Sequence, residues 1–466
     1  MFESENLFLF LMRFSSLPAS VFRIAERVAC RGGRAFLVGG SVRDILLEKS
    51  PKDFDVEVYG LSPEGLRKTL EEDFTVLTVG QHFSVFKLKG ESVDVSLPRH
   101  ESTTGPGHRD FSVRGDPELS LLAATQRRDF TINAMLWDIL QGKLVDPLGK
   151  GEKDLKNRVL RPCSPSFGED PLRVLRAMQF IARFNLEVTS ETKVYSRNLS
   201  QDSLPMERIW EEWRKLILQG VAISRGLQFL KSIDWLRFYP DLAALVNCPQ
   251  DPIWHPEGDV WTHTLNCLDA FASERIGCED EDLVVGFAVL CHDFGKPEST
   301  FTDPKGRIRS PQHEILGEAP SRRFLGLMTQ HKSFIEEVMP LVLHHMRPSS
   351  LYHNKAGNGA IQRLASKVKR IDRLLRVVRA DQQGRPPLKK TSFPEEKWLW
   401  EKTCAMAVCD QPPKPIVQGR DLMALGASPG KRFSLILSAC WEAQMRGEII
   451  DLKTGKNFVK THFPNF

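Results

Sequence analysis

The feature that most constrains the fold is a change of hydrophobic pattern near residue 160. Beyond it, strand signals nearly vanish and apolar residues recur with a helical period, as at 172, 175, 178 and 181. Before it lie short β-rich segments that end in Gly or Pro, as strands commonly do. These segments are RAFLVGG, DFDVEVYG, FSVFKLKG and SVDVSLP. The pattern predicts an α/β domain over about 20–160, followed by helices.

The same periodicity predicts where the helices lie. In the first part we expect one helix after Gly40 and another over 63–72. In the second part helices are expected near 206–218, 222–232, 259–273, 281–292, 318–330, 333–345, 358–381 and 432–446. Proline-rich breaks at 248–256, 385–394 and 411–415 are candidate domain boundaries.

Length and composition limit the class of protein. At roughly 150 residues per domain, 466 residues predict about three domains. The formal charge of +5 is too small to indicate nucleic-acid binding, so the distribution of basic residues must decide that question. Nine cysteines without a C-x-x-C pair indicate reduced thiols. The short apolar run Leu7–Met12 follows acidic residues and fits neither a signal peptide nor a membrane span, so we expect a cytoplasmic protein.

A first candidate site contains three carboxylates. Asp53 and Asp55 are two apart on a predicted strand and therefore share a face. Asp94 stands on a neighbouring predicted strand, and Glu57, with the parity of Asp55, is a weaker candidate. Because such carboxylates repel one another, we expect cations among them, and hard oxygen donors suit Mg²⁺. Two such ions about 3.5–4 Å apart can activate an attacking hydroxyl and stabilise a leaving pyrophosphate.

Two glycines and an arginine stand upstream of these acids. Gly39 and Gly40 would let backbone N–H groups approach a triphosphate at the start of a helix, and Arg43 would bind its oxygens. The alternative is an acidic strand edge next to a glycine turn. Asp44 either pairs near Arg43 or caps the helix.

These residues carry a resemblance. LVGGSVRD followed by KDFDVEV resembles the class II tRNA nucleotidyltransferases and bacterial poly(A) polymerases, a branch of the polymerase-β-like nucleotidyltransferases. The resemblance implies that Asp53 and Asp55 bind the catalytic metals and that Asp94 is the third carboxylate.

The segment QRRDFTINAM, at 126–135, offers a second set of polar residues. Asp129 and Asn133 are four apart and would share a face of a helix. The alternative is a helix start capped by Asp129, with solvated arginines. The segment resembles the family motif that contacts the sugar and phosphates of the nucleotide, which implies that role for Arg128, Asp129 and Asn133, with Arg127 as a further candidate.

The segment EDPLR pairs an acid with a base. Pro171 suits a first helical turn, which puts Asp170 at the N-cap. Asp170 and Arg173 can lie side by side, where a carboxylate and a guanidinium imitate a base-pairing edge; the alternative is a capped helix with an internal ion pair. The segment resembles the amino-acid template with which the family selects CTP or ATP. That resemblance implies that Arg176 contacts phosphates or orients the pair and that Glu169 braces Arg173.

The Gly-rich, basic stretch at 98–115 connects the third carboxylate to these motifs. It is either a free loop or the counterpart of the flexible loop of CCA-adding members, which its TGPGH segment resembles. The resemblance favours synthesis of a tRNA end over poly(A) synthesis.

A second candidate site has the order H…HD…D. Its predicted metal ligands are His263, His292, Asp293 and Asp381. Such nitrogen and oxygen donors suit a divalent transition metal, which can generate a nucleophile from water for phosphoester hydrolysis. Further candidates are Lys296, to neutralise a phosphate, and His313, His344 and His345, to extend the site. The pattern resembles the HD phosphohydrolase domain of certain bacterial CCA-adding enzymes, which implies phosphatase and 2′,3′-cyclic phosphodiesterase activity. The alternative is an HD fold that binds tRNA without metal chemistry.

Basic residues concentrate in IQRLASKVKRIDRLLRVVRAD, a predicted amphipathic helix. Its basic face is either simply solvated or a surface for the phosphates of a structured RNA. The tail from Gly419 also resembles the C-terminal segment of the bacterial family members. The resemblance thus extends over about 35–450.

Together these observations predict an α+β chain, with a polymerase-β-like nucleotidyltransferase α/β head followed by an all-α neck, HD domain and tail. The expected boundaries are 20–160, 161–245, 246–390 and 391–466. The resemblance implies template-independent addition of CMP and AMP to the 3′ end of tRNA, with tRNA, CTP and ATP as partners, Mg²⁺ as cofactor and a second divalent metal in the HD domain. Alternatives are a CC-only or A-only enzyme, a poly(A) polymerase, an HD phosphohydrolase with an RNA-binding head, and a non-catalytic RNA-binding protein. The sequence predicts no oligomeric state.

Overall fold

The computed structural model describes residue 14 and residues 17–78, 85–103, 111–387 and 392–464. The chain divides into two compact units. The first contains Met1–Glu212 and Gln228–Trp235, and the second contains Trp213–Leu227 and Leu236–Phe466. The division into head, neck, HD domain and tail stays a prediction.

The strands are short and lie mostly before residue 160. They are β1 (Arg34–Val38), β2 (Phe54–Tyr59), β3 (Val76–Thr78), β4 (Val85–Leu88), β5 (Val93–Ser96), β6 (Arg99–Thr103), β7 (Phe111–Gly115), β8 (Leu136–Asp138), β9 (Lys143–Val145), β10 (Val159–Leu160), β11 (Glu187–Val188), β12 (Phe301–Thr302) and β13 (Ile308–Arg309). The four predicted strands are confirmed as β1, β2, β4 and β5.

Helices make up most of the remainder. They are α1 (Ala19–Cys30), α2 (Gly40–Leu46), α3 (Pro63–Glu71), α4 (Leu121–Gln126), α5 (Gly151–Lys156), α6 (Leu172–Phe184), α7 (Ser190–Arg197), α8 (Met206–Gln219), α9 (Ile223–Ser232), α10 (Pro240–Ala243), α11 (Val260–Ser273), α12 (Glu279–Cys291), α13 (Lys296–Ser299), α14 (His313–Leu316), α15 (Glu318–Gly326), α16 (Lys332–His344), α17 (Arg347–His353), α18 (Asn358–Val368), α19 (Ile371–Gln383), α20 (Pro394–Ala405), α21 (Gly419–Ala424), α22 (Lys431–Arg446) and α23 (Leu452–His462).

The first unit is built on one mixed sheet. Its strand order is β3-β4-β5-β2-β1-β8-β9, in which β2 and β5 are parallel and the other neighbours are antiparallel. Alternation along β2 buries Phe54 and Val56 while Asp55 faces solvent, as the period of a strand requires. The fold is therefore the predicted α+β arrangement, with the acids on one face of the central strands.

The Gly-rich stretch at 98–115 is only in part a loop. Its flanks form the antiparallel pair β6 and β7, with Arg99 opposite Gly115. Residues 104–110, which include the predicted TGPGH segment, lie outside the described residues.

The second unit is helical around α12. That helix packs against α11, α16 and α19, and Leu283–Cys291 is buried throughout. Such all-round burial explains why this segment is apolar on every side. Four acidic residues fill its first turn, where the positive end of the helix dipole favours them.

The predicted single helix over 358–381 is wrong in one respect. The chain breaks between α18 and α19, where Lys369 adopts a φ of 65°. The predicted apolar stripe is buried on both sides of this break, at Leu364, Val368, Ile371, Leu375 and Val378.

The basic face of this segment is neither simply solvated nor an open surface for RNA phosphates, since most of its arginines have protein partners. Arg370 and Arg373 both bind Glu281, and Arg376 pairs with Asp282. Arg379 pairs with Glu396. These cations join α19 to α12 and α20, so an RNA surface no longer follows from their number.

The Glu281 ion pairs predict a pH dependence of stability. Hydrogen bonds from Arg373, opposed by burial and joined by those from Arg370, lower the pKa of Glu281 from 4.5 to about 2. Because the folded-state pKa is depressed, this stabilisation is present above pH 4.5 and is lost as the pH falls toward 2. We expect Glu281→Gln to lower the urea midpoint of unfolding at pH 7 and to lower it much less at pH 2.5. Asp280→Asn, at an exposed neighbour, is the control; an equal loss in both variants would contradict the assignment.

A search of the described residues for membrane-spanning helices finds none with the required length and hydrophobicity. All nine cysteines are free thiols, as predicted.

Candidate active site and metal centre

The register of the central strands brings the predicted acids together. Asp55 of β2 lies beside Asp94 of β5 in the parallel pair, and Val38 at the end of β1 lies opposite Asp55. The chain continues from Val38 into Gly39, so the two glycines stand at the same edge of the sheet as the acids. Asp53 directly precedes β2 and is exposed.

Gly39 is a position where a side chain would interfere. Its φ is 72°, a left-handed conformation that glycine adopts without strain. A Cβ atom there would lie 3.4 Å from Nη1 of Arg128 and 3.8 Å from Oδ2 of Asp55. Glycine therefore keeps the backbone close to both charges.

The charges around Asp55 fit a cation. Burial in the cleft raises the pKa of Asp55, and the carboxylates of Asp94 and Asp53 raise it further, whereas Arg128 lowers it. The ionised form is thus disfavoured until positive charge is added between the carboxylates. Lys87 is the nearest described lysine, with Nζ 3.8 Å from Asp94 Oδ2. The donor set is composed of carboxylate oxygens and suits a hard divalent cation.

Glu57, the weaker candidate ligand, is occupied by other partners. Its side chain is only 2% exposed and accepts a hydrogen bond of 2.8 Å from the Tyr59 hydroxyl. Arg127 Nη2 lies 3.1 Å from one carboxylate oxygen and Arg128 Nη2 lies 3.3 Å from the other. Both arginines line the cleft, so Glu57 holds the predicted nucleotide-binding cations in place.

This arrangement predicts the effect of Glu57→Gln. Neutralising the carboxylate weakens two charge-assisted contacts, so we expect the KM for nucleotide to rise about 10-fold while kcat changes less. Steady-state kinetics of nucleotide incorporation measure both. Tyr59→Phe, which removes only one hydrogen bond, is the matched control. A fall in kcat with an unchanged KM would instead assign Glu57 to the reacting centre.

The QRRDFTINAM segment is not an α-helix; it forms the end of α4 and a 3₁₀ turn over Thr131–Asn133. The expected side-chain contact exists nonetheless, because Asn133 Nδ2 donates to Asp129 Oδ1 at 3.1 Å. Arg176 binds the other oxygen of Asp129 at 2.7 Å through Nε. Burial raises the pKa of Asp129, but Arg176 and Asn133 outweigh it and the net shift is downward.

Arg43 is buried and makes several contacts to other protein groups. It donates to Asn133 Oδ1 at 2.6 Å and to Asp44 Oδ1 at 2.7 Å, and its guanidinium lies 4.6 Å from the ring centre of Phe184. Asp44 therefore pairs with Arg43, one of the two expected alternatives. Arg43 still lines the cleft, where it also positions Asn133.

The EDPLR residues line the same cleft without pairing directly. The N-cap of α6 is Pro171 and not Asp170 as predicted, but Asp170 still accepts a hydrogen bond from the Leu172 N–H at 3.0 Å, and it lies 3.8 Å from Arg208. Arg173 donates to the carbonyls of Ser166 and Arg127, both at 2.7 Å. Among the described residues, no carboxylate binds Arg173, so Glu169 does not brace it as expected. Backbone carbonyls set its orientation instead.

The cleft of the first unit has a volume of about 690 Å³ and holds both groups of residues. Its lining includes Gly39, Gly40, Arg43, Asp55, Asp94, Arg128, Asp129, Asn133, Asp170, Arg173 and Arg176. Asp53 is outside this lining. One cavity thus combines an acidic floor with arginines and the predicted base-selecting segment, which suits a nucleoside triphosphate and its cation.

The second unit collects the other predicted ligands. They come from α11 (His263), the end of α12 (His292 and Asp293), α14 (His313), the residue after α16 (His345) and α19 (Asp381). His263 Nε2 lies 3.1 Å from Asp381 Oδ1 and 3.7 Å from Asp293 Oδ2. His313 Nε2 lies 3.2 Å from His345 Nε2 and 3.4 Å from Asp293 Oδ1. His344 belongs to none of the metal-binding clusters of the described residues.

The outer nitrogens of these histidines orient the inner ones. Nδ1 lies 2.7 Å from the Val289 carbonyl in His292, 2.7 Å from the Val342 carbonyl in His345 and 2.9 Å from the Ser310 carbonyl in His313. Because carbonyls only accept, each Nδ1 carries a proton, and each ring turns its Nε2 inward. In His263 the carboxylate of Glu257 has the same function, at 2.8 Å.

The inner nitrogens need an electrophile. Two imidazole lone pairs that face each other at 3.2 Å, as in His313 and His345, repel unless a cation or a proton lies between them. Burial lowers the pKa of His345 to about 3, so this ring is neutral near pH 7. Nε2 of His292 is buried, and Asp293 Oδ2 lies 3.2 Å from it. The donors therefore fit a divalent transition metal, with the second nitrogen of each ring held as metal-binding histidines require.

Sequence reasoning missed several residues that support this centre. Glu257 binds His263 and His255, and although burial raises its pKa, those hydrogen bonds lower it to about 2. Gln250 accepts a hydrogen bond of 2.7 Å from Lys296, and Arg385 binds Asp381 at 2.6 Å. Of these contacts, only the one between Glu257 and His263 could have been expected from the sequence, because these two residues are close together in the chain.

Comparisons with known proteins identify the family of the chain. Residues 35–161 match the family model of the poly A polymerase head domain. The chain is 33% identical to the multifunctional CCA protein of Xylella fastidiosa (strain M23), over 78% of this chain and 88% of that protein. It is 35% identical to the multifunctional CCA protein of Stenotrophomonas maltophilia (strain R551-3), over 78% of this chain and 90% of that protein.

Solved structures show the same fold at lower identity. The Bacillus stearothermophilus CCA-adding enzyme in complex with CTP matches with a TM-score of 0.63 and 21% identity, over 95% of this chain and 98% of that one. The Thermotoga maritima CCA-adding enzyme complexed with tRNA matches with a TM-score of 0.60 and 16% identity, over 97% and 98%. The acidic cleft, the head-domain match and the long alignments to curated relatives lead to one conclusion: this chain is a nucleotidyltransferase of the multifunctional CCA protein family.

Proposed function

We propose that this chain adds CMP and AMP to the 3′ end of tRNA without a nucleic-acid template, using CTP and ATP. The observation that carries the proposal is the register of Asp55 and Asp94 beside Gly39, in the same cleft as Asp170 and Arg173. Membership of the multifunctional CCA protein family supports it. The cytoplasmic location of the protein stays a prediction from the sequence.

In this proposal the chain positions both reactants. Asp53, Asp55 and Asp94 would hold Mg²⁺, which when bound would make the tRNA 3′-hydroxyl easier to deprotonate and would neutralise charge on the phosphates. Arg128 and the backbone at Gly39 and Gly40 bind the triphosphate. The 3′ oxygen forms a bond to the α-phosphorus, the bond to pyrophosphate breaks, and the hydroxyl proton leaves to water.

Selection of the base belongs to Asp170 and Arg173. The two carbonyls that hold Arg173 leave Nε available and prevent the guanidinium from swinging out of the cleft. Arg176 fixes Asp129, and Asp129 with Asn133 contacts the sugar and phosphates. The hydrogen bonds from Arg173 to these backbone carbonyls do not depend on which nucleotide is bound. The same framework can therefore accept CTP first and ATP afterwards.

The test uses tRNAs that end at the discriminator base, at C and at CC, each with labelled CTP or ATP. We expect CMP on the first two and AMP on the third. If the CC-ending tRNA accepts no AMP, the enzyme adds CC only. If the two shorter ends accept no CMP, an A-adding enzyme or a poly(A) polymerase is the better assignment, and the number of AMP residues added separates these two.

The second unit supports a second function, hydrolysis of phosphoesters. The observation that favours it is the inward orientation of four Nε2 atoms around Asp293 and Asp381. His263, His292, Asp293 and Asp381 would hold a divalent transition metal, with His313 and His345 beside them, and such an ion supplies a nucleophilic water. Lys296, whose Nζ is 2.7 Å from Asp293 Oδ2, is placed to orient that carboxylate. Opening of 2′,3′-cyclic AMP to an adenosine monophosphate, and release of phosphate from a phosphomonoester, each measured with Mn²⁺, Co²⁺, Ni²⁺ and Zn²⁺ in turn, test it.

A further inference from the structure

A cavity of about 500 Å³ opens over the metal-binding cluster of the second unit. Asp293, His313, His345 and Asp381 form its floor, and Trp254 and Arg307 are among the residues of its wall. The cavity is far larger than a metal ion and a phosphate need. The substrate therefore has a further part, and the wall residues indicate its chemistry.

Trp254 is an unusual residue for a cavity wall. It is 66% exposed, although tryptophan side chains are largely buried on average. Among the described residues, no aromatic ring packs against it and no side chain makes a hydrogen bond to it. Its indole face is thus available to a planar ligand, as aromatic side chains are at binding surfaces.

The position of Trp254 relative to the metal cluster is closely constrained. The next residue, His255, binds Glu257 at 2.9 Å, and the same oxygen of Glu257 binds His263 at 2.8 Å. The rings of His255 and His263 lie 4.9 Å apart. The chain therefore holds the indole one residue away from the groups that orient a metal ligand.

The lysine and arginine side chains that line the cavity differ in whether a carboxylate binds them. Lys296 binds Asp293, Arg385 binds Asp381, and Arg309 binds Asp303 at 2.9 Å. In the described part of the chain the guanidinium of Arg307 has no such partner. It is exposed on the turn between β12 and β13 and is free to meet an anionic ligand.

We propose that this cavity binds the terminal nucleotide of an RNA, with its phosphate at the metal cluster and its base stacked on Trp254. The proposal rests on the phosphohydrolase function proposed above, takes a nucleoside 2′,3′-cyclic phosphate as its substrate, and adds Trp254 as the residue that recognises the base. In the reaction a water oxygen forms a bond to phosphorus and the bond from phosphorus to one ribose oxygen breaks. That ribose oxygen takes up the proton released by the water, and the product is a phosphomonoester.

The first test compares a substrate that has a base with one that lacks it. We use 2′,3′-cyclic AMP and glycerol 1,2-cyclic phosphate, which share the five-membered cyclic diester. Stacking of one base contributes enough that Trp254→Ala should lower kcat/KM for 2′,3′-cyclic AMP by about 5- to 100-fold, through KM. Hydrolysis of the glycerol ester should not change, and Trp254→Phe should recover most of the loss.

The control is Ile253→Ala, since Ile253 is 75% exposed on the same turn and is not part of the cavity wall. It should leave both substrates unaffected. An equal loss on both substrates in Trp254→Ala, or no loss on either, overturns the stacking role while the hydrolytic function stands.

A second measurement separates the inference from the proposed function. Adenosine 3′-monophosphate should quench the emission of the full-length protein, and the difference from Trp254→Phe isolates the signal of Trp254. Glycerol 2-phosphate should not quench it. If neither cyclic ester is hydrolysed but this quenching occurs, the phosphohydrolase function fails and the nucleotide site stands. If the Trp254 signal is unaffected by the nucleotide, the site is wrong whatever the hydrolysis result.

Discussion

Asp55→Asn should reduce nucleotide incorporation by at least about 10³-fold, which corresponds to several kcal/mol of transition-state stabilisation. Asparagine has nearly the shape of aspartate, so the strand and its register with β5 should persist. What it lacks is the negative charge that, together with Asp94, attracts a divalent cation. Burial and the neighbouring carboxylates already raise the pKa of Asp55, so this position is adapted to a bound cation and not to a free carboxylate.

The measurement is single-turnover addition of CMP to tRNA at saturating Mg²⁺. Glu91→Gln, at an exposed acid in the turn before β5, is the control and should retain full activity. Hydrolysis of 2′,3′-cyclic AMP by the same Asp55→Asn protein should be unchanged. If incorporation survives in Asp55→Asn and in the Asp53→Ala, Asp55→Ala double variant, the two-metal assignment is wrong. If hydrolysis proves to be the main activity of both of these variants, the head only binds RNA.

His292→Ala should produce the opposite result, loss of metal from the second unit with incorporation intact. Residues that merely orient a metal ligand typically change affinity by about 10- to 100-fold, and a direct ligand should exceed that range. His292 offers a buried Nε2 that lies 3.2 Å from Oδ2 of Asp293, a second predicted ligand. Burial lowers the pKa of His292 and Asp293 raises it, and the net upward shift means that positive charge is favoured at this ring.

Metal content after dialysis, measured by mass spectrometry, and competition with a chelator give the affinity directly. Glu257→Gln should show the intermediate loss of about 10- to 100-fold expected for a residue that orients His263. His344→Ala is the matched histidine control, since His344 is outside the described clusters, and should bind metal normally. Equal metal content in His292→Ala and His344→Ala would leave the second unit as a tRNA-binding module without this chemistry.

Local pattern accounts for much of what the sequence predicted correctly. Strand alternation placed Asp55 on the face opposite Phe54 and Val56, and the helical period of α6 follows from which side chains must be buried. The motif residues were identifiable because GGSVRD, RRDFTINAM and EDPLR resemble those of one family. Each of these inferences needs only residues close together in the chain.

The errors share a different cause. The pairing of Arg370 and Arg373 with Glu281 depends on a helix about 90 residues away, which no local charge count reveals. The same holds for Arg173, whose expected partner was the nearby Asp170 and whose actual partners are two carbonyls. Glu57 was a candidate ligand by parity, but two arginines 70 and 71 residues away bind it.

The sequence alone therefore determined the family, the order of strands and helices, and the residue types available for catalysis, because these follow from short-range periodicity and from contiguous motifs. The tertiary structure decided which charges are available. Register put Asp55 beside Asp94, three carbonyls and one carboxylate turned four histidine Nε2 atoms inward, and distant acids neutralised the basic helix. The physical reason is that electrostatic and hydrogen-bond partners are chosen by proximity in space, which only the packed chain defines.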